Sequence, residues 1–243
     1  SLHRPQNEYD IEQAQNRQVF DELFKFNLIL KKKAIEKKNE EIPRVASAEI
    51  INSFKKCIPY ELTNDQEDTI QKISTAFINH EHVNALIQGD VGCGKSIIAF
   101  MLAAVIASNG LQSCIIAPTE VLAAQHYKEL TGYAEKLGVT VSFLSGSTKA
   151  RERKKILNEL ESGNINILVG THAVLNESVK FNSLGLVVID EQHKFGADQR
   201  GALIKSNNPH VVTMSATPIP RTLAMATFGD DIQVYNINSK PAG

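Results

Sequence analysis

Three things are scarce in this 243-residue sequence: cysteine, aromatic side chains and any excess of one charge. The three cysteines, Cys57, Cys93 and Cys114, form no CxxC pair and no metal-ligand spacing. That argues against a disulfide framework and a zinc site, and fits a thiol-bearing cytoplasmic protein. Tryptophan is absent and aromatics reach 6%, within an otherwise ordinary soluble composition of 42% hydrophobic and 22% charged residues. Net charge is -1, so no global field draws nucleic acid to the chain. Any such contact depends on local patches. The longest apolar run, Ile97 to Ala107, is too short to span a bilayer. The first residues lack a signal-peptide pattern, and no membrane is expected as a partner. The length suits one well-buried α/β domain plus an extension.

Glycine and proline are missing from Ile11 to Lys38, where Val19, Leu23, Phe26 and Leu30 recur at helical spacing. A long helix is predicted there. Its Lys-rich second half, Lys31 to Lys38, reads either as a solvated helix end or as a DNA-facing patch. Pro43 ends it, a short helix follows over Ala48 to Lys56, and Pro59 opens the main domain. The expected division is a helical extension over 1–58 and an ATP-binding domain over 59–243.

From Leu62 onward short apolar runs alternate with helix-length segments. The runs are Ala85–Gln88, Ser113–Ala117, Thr140–Leu144, Ile165–Val169, Leu186–Ile189, Val211–Met214 and Gln233–Ile237. Most are rich in Val, Ile and Leu without clean alternation, as in strands buried on both faces. The pattern predicts a mostly parallel sheet flanked by helices. Ligands of such sheets bind at the strands' carboxyl ends.

Gly89-Asp90-Val91-Gly92-Cys93-Gly94-Lys95-Ser96 matches GxxxxGK[ST], placed between an expected strand and an expected helix. Glycines let successive N–H groups turn toward an anion, and the helix N-terminus adds its dipole. Lys95 is expected to reach the β- and γ-phosphates of ATP, and the Ser96 hydroxyl to ligate Mg2+. Leu186 to Ile189 ends in Asp190 and Glu191. Asp190 is placed to hold the Mg2+ shell, and Glu191 to orient and deprotonate the attacking water. A small-molecule kinase shares the phosphate loop but does not need that Glu, so the pair favours hydrolysis.

Asp190-Glu191-Gln192-His193 resembles the DExH box of superfamily 2 helicases. Other motifs stand in order. Leu62-Thr63-Asn64-Asp65-Gln66 resembles the Q-motif, Ala117-Pro118-Thr119-Glu120 motif Ia, Gly170-Thr171-His172 motif Ib, and Ser215-Ala216-Thr217 motif III. Longer strings are similar to the RecG family: Gln88 to Gly92, Ala117 to His126, Val169 to Ala173, Ile189 to Gly196 and Ser215 to Met225. The transcription-repair coupling translocase shares much of this but usually has Glu where this chain has Gln192. Cys93, Ser96 and Ser215 depart slightly from the commoner residues and keep the needed chemistry.

The resemblance implies a RecA-like first motor domain of an ATP-dependent DNA helicase or translocase that acts on branched DNA, with ATP and Mg2+ as cofactors. It implies that Gln66 reads the adenine edge, and that Gln192, His193, Ser215, Ala216 and Thr217 couple the nucleotide site to the DNA path. It also implies that Thr119 and Thr171 touch the DNA backbone without reading sequence. For Arg221 a phosphate contact and a structural ion pair stay equally open. The basic residues from Lys149 to Lys155 suit a solvated helix or a DNA contact. A second RecA-like domain and an upstream wedge are expected to lie outside this chain, which acts as a monomer and alone would bind nucleotide but hydrolyse it poorly. The alternatives are the coupling translocase, a nucleotide-gated binding module without turnover, and a small-molecule kinase.

Overall fold

The computed structural model describes residues 48–79, 81–190, 208–229 and 231–240. The long helix expected over Ile11–Lys38 lies outside them, as do Glu191, Gln192 and His193.

Seven strands form one sheet, and every pairing in it is parallel. They are β1 (Asn84–Gln88), β2 (Gln112–Ile116), β3 (Val141–Leu144), β4 (Ile167–Gly170), β5 (Leu184–Asp190), β6 (His210–Ser215) and β7 (Gln233–Asn236). Across the sheet their order is β3-β4-β2-β5-β6-β1-β7. Helices among the described residues are α1 (Ala48–Lys55), α2 (Asn64–Ile78), α3 (Lys95–Ser108), α4 (Glu120–Leu137), α5 (Ala150–Glu161) and α6 (Arg221–Phe228), with a 3-10 turn at His172–Leu175. Each of the seven apolar runs in the sequence carries one strand. The inner strands β2 and β4 are buried along their whole length, which explains why their sequences do not alternate.

Helix α3 is apolar all round, and every residue from Ile97 to Ala107 is buried. Such a helix has no solvent face. The sheet covers one side of it, and α1, α2 and α4 pack against it elsewhere. Phe54 of α1 is 0% exposed and belongs to the same core as α3, with its ring 5.2 Å from that of Tyr133 on α4. Residues around α1, assigned from sequence to the extension, therefore pack into the motor's own core; Pro59 is not an edge of that core. On the opposite face, Ile156 and Leu160 of α5 and Val174 of the 3-10 turn cover β4 and β5, while Ala224 and Phe228 of α6 sit on Leu86 of β1. The result is a three-layer α/β/α stack whose strands all end at one rim.

Candidate nucleotide site and its rim

The phosphate loop grows out of β1, the strand between β6 and β7. Gly89 N–H donates to Ser215 O at 3.2 Å, which fixes the loop's first residue against β6. A β-carbon on Gly89 would press on the Ile237 carbonyl and come within 2.8 Å of Cys93 Sγ. Gly92 and Gly94 have φ of +82° and +81°, a region that side-chain-bearing residues avoid. Gly94 is the N-cap of α3, so Lys95 and Ser96 open that helix with their N–H groups at its positive end. The Lys95 amine lies back over the loop and donates to Gly89 O at 2.6 Å and Asp90 O at 2.9 Å. Val91, at the tip, is 81% exposed.

Gln66 braces this loop from behind. Thr63 caps α2, and the Gln66 Oε1 accepts from Thr63 N–H at 2.9 Å, completing a capping box. The other end of the same amide donates to Cys93 O at 2.9 Å. Gln66 is fully buried, and a β-carbon on Gly94 would overlap its Nε2. Its amide is thus engaged at both ends with the chain itself, and the residue expected to read adenine here holds the loop's shape.

Asp190 ends β5 on the same rim. It pairs in register with Met214 of β6, and the next β6 residue, Ser215, pairs with Gln88 of β1. One strand separates β5 from β1, so the two strand ends lie roughly 10 Å apart at ordinary inter-strand spacing. Leu186 and Val188 face the core that contains α3, whereas Val187 and Ile189 face the other. Alternation along the strand places Asp190 on the α3 side with the phosphate loop. Its Oδ2 accepts from His126 Nε2 of α4 at 2.8 Å. Among the described residues no cluster of three or more His, Cys, Asp or Glu could hold a metal.

A family profile for DEAD/DEAH box helicases matches residues 63–226, well over half of the chain. The chain belongs to that family. Within it, the chain is 40% identical over its full length to the ATP-dependent DNA helicase RecG of Synechocystis, covering 29% of that protein. It is 39% identical to RecG of Bacillus subtilis, again over its full length, covering 36% of that protein. It therefore spans about a third of the length of the curated relatives it matches. A solved structure of RecG bound to a three-way DNA junction superposes with a TM-score of 0.76 at 36% identity, covering 99% of this chain and 32% of that one. The DEAD-box helicase Mss116 bound to single-stranded RNA shares the fold, at a TM-score of 0.64 and 22% identity, covering 79% of this chain and 44% of that one.

The remaining helicase motifs stand along the same rim. Thr119 is the exposed N-cap of α4, and its Oγ1 accepts from Leu122 N–H at 3.2 Å, which leaves the hydroxyl proton free to donate. Glu120 next to it accepts from the Ser147 amide at 3.2 Å and the Ser147 hydroxyl at 2.8 Å, tying α4 to the loop after β3. Those bonds hold the Glu120 carboxyl below its ordinary range. Thr171 differs from expectation. Its side chain is 1% exposed, and Oγ1 is buried without a partner, so its hydroxyl does not face a surface strand. Arg221 is exposed at the first turn of α6 and makes no ion pair with a described residue. Ser215 folds motif III on itself: its Oγ donates to Thr217 O at 3.0 Å and accepts from Thr217 N–H at 3.2 Å across Ala216.

Two residues escaped the sequence reading. Gln88 accepts from Ile219 N–H at 2.9 Å and donates to Asn236 at 2.7 Å, joining the phosphate-loop strand to the segment after motif III and to β7. Its signal was a polar residue closing an apolar strand. His126 ends the RecG-like string Ala117 to His126, where nothing in the sequence says which residue it meets.

Proposed function

We propose that the chain is the first motor lobe of a longer RecG-type helicase that couples ATP hydrolysis to the movement of branched DNA. The observation that carries this is the shared rim and shared sheet face of the phosphate loop and Asp190. The 36–40% identity to RecG over the whole chain supports it. The cradle suits a triphosphate: two left-handed glycines, a helix N-terminus and a flexible amine converge on it. Lys95 would exchange the Gly89 and Asp90 carbonyls for phosphate oxygens. Mg2+ fits the donor set, since the Ser96 hydroxyl and the Asp190 carboxylate are hard oxygen ligands. When bound, the ion offsets charge on the β- and γ-phosphates. Glu191, next after Asp190, is assigned to orient and deprotonate water. Gln192, His193 and the Ser215–Thr217 turn are assigned to relay nucleotide state toward DNA. Thr119, with its free hydroxyl proton, and the exposed Arg221 are assigned to the phosphate backbone of DNA; the Thr171 hydroxyl, turned inward, is not. Three free cysteines fit work in a reducing cytoplasm.

Glu191→Gln in the full-length protein tests the assignment. Turnover is expected to fall at least ~100-fold, the lower end of what a general base contributes, while nucleotide affinity holds. Turnover unchanged by the substitution would remove Glu191 from the role of base, whereas absence of turnover in the unsubstituted full-length protein would point to a nucleotide-gated binding module.

A further inference from the structure

His126 lies seven residues into α4 from its Thr119 cap, about two helical turns or roughly 10 Å along the axis. It is 3% exposed. Its ring meets the ring of Phe100 on α3 edge to face, with centroids 5.7 Å apart at 83°. Its Nε2 touches Asp190 Oδ2 at 2.8 Å, and its Nδ1 is buried without a partner. A buried N–H without an acceptor costs more than a buried lone pair without a donor, so the ring hydrogen belongs on Nε2, donating to the carboxylate. Aromatic packing fixes the ring plane, and the hydrogen bond fixes one carboxylate oxygen. A carboxylate at a strand end has a free χ1 and χ2; with Oδ2 tethered to α4, the orientation of Oδ1 is set as well.

We propose that His126 is the positioning residue for Asp190. It holds one oxygen so that the other is presented to the magnesium–nucleotide, and it ties that carboxylate to the helix capped by Thr119. This rests on the reading of Asp190 as a metal ligand. Partners of this kind orient ligating carboxylates, and their loss typically weakens metal binding by about 10–100-fold.

The test titrates Mg2+ against a fluorescent ATP analogue bound to the full chain, and separately measures the analogue's affinity in EDTA. His126→Phe keeps the ring and removes the donor; His126→Asn keeps an amide but does not reach Asp190; His126→Gln carries its amide nitrogen close to the position of Nε2. Phe and Asn are expected to raise the Mg2+ midpoint by about 10–100-fold with the metal-free affinity unchanged, and Gln to restore most of it. A midpoint unmoved in either folded variant overturns the proposal, as does an equal loss with and without metal. Should Phe fail to fold, the contrast of Asn with Gln decides, and equal midpoints for the two overturn it. Asp190→Asn separates the two readings: if it leaves the midpoint unchanged, Asp190 is not a metal ligand and the failure lies with that assignment.

Discussion

Gly94 stands at φ +81° with the Gln66 amide directly over the place a β-carbon would occupy. Two costs therefore meet at one residue. A side chain in the left-handed region costs about 1–2 kcal/mol, and relief of the overlap requires Gln66 to leave Cys93 O. Gly94→Ala is expected to weaken nucleotide binding by about tenfold or more, equivalent to roughly 1.4 kcal/mol, with only a modest loss of thermal stability. Equilibrium binding of a fluorescent nucleotide checks it, and wild-type affinity would show that the loop does not need this geometry. The glycine's role was legible in the sequence because the motif is local: eight consecutive residues carry strand end, turn and helix start. Its dependence on Gln66, 28 positions earlier, was not. Thr63 and Gln66 satisfy both a helix-capping pattern and a resemblance to a nucleotide-reading motif, and sequence cannot say where the amide's far end goes. His126 and Asp190 show the same limit, since a histidine inside a helix and a carboxylate at a strand end become partners only when tertiary packing brings α4 to the end of β5.

At the scale of elements, the chain leaving β7 is tied back to the nucleotide side of the fold. Ile237 N–H donates to Gln88 O at 2.8 Å. Asp65 Oδ2 then accepts from Asn238 N–H, Ser239 N–H and Ser239 Oγ at 2.9–3.0 Å. Asp65 neighbours Gln66 on α2, so one helix turn touches both the phosphate loop and the segment beyond β7. The Ser239 hydroxyl first, and then the two amides, hold the Asp65 carboxyl below its ordinary value. A depressed folded-state value means the tie is fully present above the unfolded aspartate pKa of about 3.9 and weakens as pH falls through the lower folded value. Asp65→Asn is expected to speed hydrogen exchange at Asn238 and Ser239 at neutral pH, while exchange within β1 stays unchanged. Equal exchange in mutant and wild type would mean that the segment is held by something else. Strand positions were legible as apolar runs because burial on both faces leaves little else for them to be. Boundaries were less so: the run at Ile165–Val169 becomes a strand at Ile167–Gly170. Pairing with β2 and β3 sets those limits, and Ile165 is buried as an approach to the strand. The short helix over Ala48–Lys55 was also legible, but Phe54's burial against α4 and α3 is a tertiary fact.

For the whole molecule, an all-parallel sheet has one consequence above others: apart from the Thr63–Gln66 turn, the candidate segments follow the strands' carboxyl ends. The phosphate loop follows β1, Thr119 follows β2, the Ser147 loop β3, motif Ib β4, Asp190 closes β5, and motif III leaves β6. Sheet order then decides which of these become neighbours. Placing β6 between β5 and β1 sets motif III between Asp190 and the phosphate loop. That arrangement lets one ligand touch both, and the helicase reading depends on their doing so. A crystal structure of the chain grown with Mg2+ and a non-hydrolysable ATP analogue is the most direct measurement. The expected map shows the β- and γ-phosphates within the Gly89–Gly94 turn, the Lys95 amine on them, and a metal between the Ser96 hydroxyl and the Asp190 side of the site. A triphosphate bound elsewhere, or one seated in the loop with its metal out of reach of Asp190, would contradict it.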